Sequence, residues 1–258
     1  MAKTEALRRD SMMTFTLRAP AHVMAELASA DTRRALMGEF LGTLLFVALG
    51  AGTVIVTGGL LGEKLGSARL LVLALAQGLA YMLLAAATLP ISGGHLNPAV
   101  TFAAMIMRKI TPTKAVMYVI AQCTGAVAGA VLLALIVPDG THGTLGAHGL
   151  GARVSLAGAF TTEVVVTFML VSAVIGATMN GSKSAALGMA AVGLTSIVGC
   201  LFALPLTGAS MNPARSFGPA FVVRLWSDHW VFWVGPLVGG ALAALVHQSL
   251  TRPERRGR

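Results

Sequence analysis

Charge is scarce in this chain. Asp, Glu, Lys and Arg supply 11% of its 258 residues, against 55% apolar residues and a mean hydropathy of +0.78. That composition leaves too few polar side chains to cover a domain of this size, which excludes a soluble globular fold. Cysteine is nearly absent as well: Cys123 and Cys200 lie inside apolar runs, in no metal or redox spacing, and imply neither a disulfide nor a metal site. Aromatic residues reach only 6%, and no basic stripe interleaves with them, so the formal charge of +9 does not point to nucleic acid. Period-2 alternation is missing, and with it the signature of a membrane barrel. No nucleophile with a base and no metal-ligating cluster can be assembled, so the chain reads as a non-enzyme without cofactor.

What it has in quantity is long apolar runs. Six are long enough to cross a bilayer as helices, at about 35–58, 70–89, 113–137, 154–178, 185–205 and 229–250. Two more, at about 97–107 and 212–223, reach only about half that length. Each short run opens on the same string, Asn97-Pro98-Ala99 and Asn212-Pro213-Ala214, 115 residues apart. Asn is a good helix N-cap, Pro suits the first helical position, and the free N–H groups behind them give that helix end partial positive charge.

The chain repeats itself. Glu39 and Thr43 stand four apart in the first span, as Glu163 and Thr167 do in the fourth, and Gly93-Gly94-His95-Leu96 precede Asn97 as Gly208-Ala209-Ser210-Met211 precede Asn212. The Gly- and His-rich stretch 138–153 connects the two copies, about 34–137 and 154–250. Three spans per copy is an odd number, so the second copy enters from the opposite side and the repeat is inverted. We expect a single channel domain over 34–250, a mobile or surface-lying tail over 1–33 without a signal-peptide core, and a short tail over 251–258. Of the 19 basic residues, only Lys64, Arg69, Arg153, Arg215 and Arg224 fall on one side of the membrane. The excess on the other side predicts that both termini are cytoplasmic, with the first half-helix entering from the inside and the second from the outside.

Glu39 and Glu163 are carboxylates in apolar helices, where charge needs a partner or a water-filled cavity. They read either as proton carriers of a coupled transporter or as acceptors for backbone N–H groups of the re-entrant loops, and their placement once per repeat favours the structural role. Gln122 with Gly125 and Gly129 reads as a hydrogen-bonding and close-packing face more than as a site, and Gly235, Gly239 and Gly240 read as a close-packing face. His95 reads as orienting its loop or lining its mouth, while His142 and His148, in the connector, read as solvated. Arg215 puts a cation in the first turn of the second half-helix, against the helix dipole, which is explained if its guanidinium points into a narrow pore.

These residues resemble the major intrinsic proteins, the aquaporin and glycerol-facilitator family. The motifs are Ser92-Gly93-Gly94-His95-Leu96-Asn97-Pro98-Ala99-Val100-Thr101 and Met211-Asn212-Pro213-Ala214-Arg215-Ser216, each with its upstream Glu. The resemblance implies an all-α membrane protein with an hourglass of six helices and two re-entrant half-helices, assembled as a homotetramer in the lipid bilayer. It implies a passive pore in which Asn97 and Asn212 donate to a passing water while the carbonyls of Gly93, Gly94, His95, Gly208, Ala209 and Ser210 accept. It also implies a selectivity filter at Gln77, Cys200, Ala209 and Arg215. Water channels of the family usually carry an aromatic and a His at the first two positions and glycerol channels two aromatics, whereas this chain has neither. Ser216, Ala220 and Phe232-Trp233 lean to the water branch. The expectation is a water channel with a permissive mouth that also admits small uncharged solutes such as glycerol, urea, ammonia, peroxide or metalloid acids. A glycerol- or metalloid-type facilitator, an inverted-repeat secondary transporter and a purely structural membrane protein are the alternatives; the location fits a bacterial inner membrane or a plasma membrane, and the short loops favour the former.

Overall fold

The computed structural model describes residues 23–26, 28–62, 64–138, 140, 143–179 and 184–251. His142, Lys183 and most of the two expected tails lie outside the described residues.

Among the described residues, six helices are long and apolar enough to cross a membrane: α1 (Ala30–Leu61), α2 (Ser67–Ser92), α4 (Pro112–Ile136), α5 (Leu156–Val174), α6 (Ala185–Thr207) and α8 (Val231–Thr251). α5 runs on into a π-helical turn over Ile175–Met179. Between them lie two short helices, α3 (Pro98–Ile106) and α7 (Pro213–Val223), of 9 and 11 residues. At 1.5 Å per residue these reach about 14 and 17 Å, roughly half of a hydrocarbon core. The chain is an all-α, multi-pass membrane protein, and its exterior fits lipid: Leu60, Leu135, Leu187 and Leu250 are each more than 70% exposed.

α1 begins about five residues before its apolar run. Apolarity stops at Arg33 and Arg34, but the backbone ladder continues through them to Asp31, an acid favoured in a helix's first turn. The N-caps follow local chemistry. Thr111 caps α4, Ser155 caps α5, Ser184 caps α6, and Asn97 and Asn212 cap the two half-helices with Pro at the next position.

Packing obeys an internal two-fold relation. α1 packs on α2 and α4 as α5 packs on α6 and α8, and α2 meets its own counterpart α6. The half-helices cross over: α3 packs against α8 of the second copy and α7 against α4 of the first. Glycine makes these contacts close. A Cβ on Gly125 or Gly129 of α4 would fall 2.3 Å from the Phe40 or Leu44 carbonyl of α1, and one on Gly239 of α8 would fall 2.4 Å from the Val164 carbonyl of α5. Thr43 and Thr167, four residues after the two glutamates, are fully buried with no partner for their hydroxyls.

Candidate functional site

α2 and α6 each carry a Pro seven residues before the motif Asn, Pro90 and Pro205, and each ends at a left-handed Gly, Gly93 and Gly208. The chain then turns back into the protein as a loop, so its amides have no helical partner. The buried glutamates supply one. Glu39 Oε1 accepts from Ser92 Oγ at 2.6 Å and the His95 amide at 3.0 Å, and its Oε2 accepts from the Leu96 amide at 2.7 Å and Gln122 Nε2 at 2.7 Å. Glu163 Oε1 accepts from Thr207 Oγ1 at 2.6 Å and the Ser210 amide at 3.0 Å, and its Oε2 accepts from the Met211 amide at 2.9 Å. Both carboxylates are fully buried.

The loops deliver Asn97 and Asn212 to one another. Each side-chain oxygen caps its own half-helix, from Ala99 N at 2.8 Å in the first and from Ala214 N at 3.0 Å and Arg215 N at 3.2 Å in the second. Each amide nitrogen crosses to the other loop: Asn97 Nδ2 donates to the Met211 carbonyl and Asn212 Nδ2 to the Leu96 carbonyl, both at 2.8 Å. The half-helices therefore meet N-terminus to N-terminus, locked by a reciprocal pair of bonds. An amide nitrogen carries two N–H groups, so each Asn keeps one donor free of this lock.

A narrow cavity of about 10 Å³, room for about one water, adjoins the pair. Asn97, Asn212, Gln77, Cys200, Ala209 and Ser210 line it, so the structure brings these candidates together. Gly93, Gly94, His95, Gly208 and Arg215 are not part of that lining. Gln77 is buried, its amide oxygen has no partner, and it leans on Gly50, where a Cβ would fall 2.5 Å away. Arg215 is 1% exposed and donates from Nη1 to the Gly146 carbonyl at 2.8 Å, while its Nε has no partner. The His95 carbonyl accepts from Tyr81 Oη at 2.8 Å.

Phe46, Tyr81, Leu170, Ser196 and Met211 complete the lining, and of these only Met211, in the second motif, was singled out from sequence. Two signals lead to four of them. Tyr81 follows Gln77 by one helical turn and Ser196 precedes Cys200 by one, so each shares a face with a candidate. Phe46 and Leu170 sit seven residues after Glu39 and Glu163, at equivalent places in the repeat.

One expectation is overturned. His148 is not solvated: it is 7% exposed, its Nδ1 meets Ser216 Oγ at 2.7 Å, and its ring lies 5.6 Å from that of Phe232. The connector folds back over the second loop, with the Gly151 amide donating to the Leu206 carbonyl at 2.8 Å, and carries the imidazole inside. Connector length and composition hold no sign of that tertiary contact.

A sequence model of the major intrinsic protein family matches residues 26–247. The chain belongs to this family. Its members are channels and not enzymes. Among similar proteins, aquaporin-4 of Mus musculus is 39% identical over 223 residues, 86% of this chain and 68% of that protein. The lens fiber major intrinsic protein of Lithobates pipiens is 41% identical over 236 residues, 91% of this chain and 87% of that protein. The aquaglyceroporin structure from Plasmodium falciparum superposes with a TM-score of 0.74 at 25% identity, covering 85% of this chain and 96% of that one.

Proposed function

We propose that this family member conducts water passively and excludes protons and ions. The reading rests on one observation, the reciprocal hydrogen bonds between Asn97 and Asn212 and the opposite loops, beside a cavity with room for about one water. Each Asn is held rigidly by one N–H and offers the other to the oxygen of a passing water. A water accepting from both points its own hydrogens away along the file, so it cannot relay a proton through an aligned chain. Two helix N-termini meeting there add positive potential against protons and other cations. The carbonyls of Gly93, Gly94, His95, Gly208, Ala209 and Ser210 serve as acceptors along the path, and Gln77, Cys200, Ala209 and Arg215 form its filter. Pro98, Ala99, Pro213 and Ala214 start the half-helices that aim the two amides.

The unpartnered Gln77 amide oxygen and the absence of an aromatic or His at positions 77 and 200 support a second permeant class, small uncharged polar solutes. Their passage needs the lining to give, since water alone matches its room. The protein works as a homotetramer in a bacterial inner membrane, with residues 34–250 as one channel domain and both termini in the cytoplasm. Stopped-flow shrinkage of proteoliposomes tests this: water efflux is expected well above the lipid baseline, with no proton entry by an internal pH dye. Efflux at the baseline, or flux that a proton gradient drives uphill, refutes it.

A further inference from the structure

His148 is a buried imidazole to which the pore reading gives no task. Its Nδ1 meets Ser216 Oγ at 2.7 Å, Ser216 Oγ meets Ser210 Oγ at 2.5 Å, and Ser210 Oγ donates to the Asn212 carbonyl at 3.2 Å. Its Nε2 is buried without a partner. Donors can be assigned consistently along this row. If Ser210 donates to the Asn212 carbonyl and Ser216 donates to Ser210, then Nδ1–H donates to Ser216 and Nε2 is left as a bare acceptor. The ring also packs on the second loop itself, since a Cβ on Gly208 would fall 2.8 Å from His148 Cδ2. Two residues away on the same connector, the Gly146 carbonyl holds Arg215.

The first half of the molecule contains the same device in another form. His95 Nδ1 meets Thr101 Oγ1 at 3.1 Å, and Thr101 stands four residues after Asn97 as Ser216 stands four after Asn212. In both halves an imidazole grips the hydroxyl at that place. The first loop carries its own, whereas the second has Ser210 where His95 would be and receives the ring from the connector.

We propose that His148 is a positioning residue of the pore: its neutral ring pins Ser216 and Ser210, and with them the connector that holds Arg215, and protonation of the ring releases this seat. A proton on Nε2 creates a buried N–H with no acceptor and a charge close to Arg215. The charged or titratable groups acting on the ring are Arg215 from α7 and His229 from the turn before α8, both of which oppose a positive imidazole. Glu163, which binds the same loop, is committed to Thr207, Ser210 and Met211. Burial first, then Arg215 and His229, hold the imidazole well below its ordinary value. An unseated ring in water keeps its ordinary value near about 6.5 and takes up the proton first. The seated state is therefore at full strength above about pH 6.5 and loses ground as pH falls below it.

The inference rests on the channel reading, and the glycerol-to-water permeability ratio of proteoliposomes tests both. Between about pH 8 and about pH 5, with the same pH on both sides, the wild-type ratio is expected to rise at least about threefold as Arg215 and Ser210 lose their hold. His148→Gln, whose amide can bond Ser216 without titrating, is expected to keep the low ratio at every pH, and His148→Ala to show the raised ratio at every pH. A flat wild-type profile, or a His148→Gln profile that follows wild type, overturns the role of His148 while leaving the channel reading intact. Wild-type protein with no water flux at any pH overturns the channel reading and this inference with it. Should His148→Ala fail to fold, the wild-type and His148→Gln profiles alone decide.

Discussion

The two re-entrant loops reach one geometry with different residues. Both turn at a left-handed Gly, both place Leu96 or Met211 at φ near +50°, and both send two consecutive amides to a buried Glu. They differ between those points. Gly94 and Ala209 occupy equivalent places with φ of +63° and +60°. A Cβ on Gly94 would fall 2.4 Å from the Ala85 carbonyl, so glycine is obligatory there, whereas Ala209 has room for its methyl and lines the cavity with it. At this one position the strain of a non-Gly residue, about 1–2 kcal/mol, is accepted only in the second half, although Leu96 and Met211 carry it in both. Glu39 has Gln122 as an additional donor, and Glu163 has no counterpart to it among the described residues. The first loop is thus clamped from within its own half, while the second borrows a clamp from the connector. What is shared is the backbone requirement, and what differs is how each side is braced.

The largest test of this comparison is removal of the carboxylates. Glu39→Ala and Glu163→Ala each strand two buried loop amides, at roughly 1–3 kcal/mol apiece. Thermal unfolding in detergent should show Glu39→Ala as the more damaging by about 1 kcal/mol, because it also frees Gln122. Equal losses would mean that Thr101, which Gln122 also reaches at 2.9 Å, already satisfies that amide.

Next come the asparagines. Asn97→Ala removes a cap on one amide and Asn212→Ala a cap on two, besides one crossing bond each. Losses of about 1–2 kcal/mol are expected, greater for Asn212. A proton leak, read by a dye inside liposomes, should appear in both variants. A leak in one alone would break the symmetry of the paired barrier.

The smallest effect is expected at the hydroxyls. Thr101→Val and Ser216→Ala should each cost about 1 kcal/mol of stability in the same unfolding assay. Only Ser216→Ala should also flatten the pH profile of solute selectivity, since only the second clamp is fastened by His148. A flattened profile in Thr101→Val would move the pH-sensing role to His95.

Much of the fold was legible from residues alone because the bilayer simplifies the problem. Apolar runs such as 70–89 and 185–205 have to be helices once water is absent, and each has its counterpart in α2 and α6. The half-helices were legible because Asn and Pro mark a start and the run behind them is too short to span. The boundary of α1 was not, since Arg33 and Arg34 end the apolar run but leave the hydrogen-bond ladder intact. His148 was not legible either: burial of a connector residue depends on how the connector folds over α7, and no periodicity encodes that. Ser196 and Phe46 lay within reach, one by helical spacing and the other by the repeat.

By itself the sequence determined six spans, two half-helices, an inverted repeat and a carboxylate in each copy, because hydrophobic length and helix-start chemistry are local properties. Only the tertiary structure decided that Asn97 and Asn212 bond across to each other's loops, that Gln122 sides with Glu39, and that an imidazole from the connector braces the second loop. Each of those is a contact between groups far apart in the chain, chosen by which buried donor lacks an acceptor once the helices have packed.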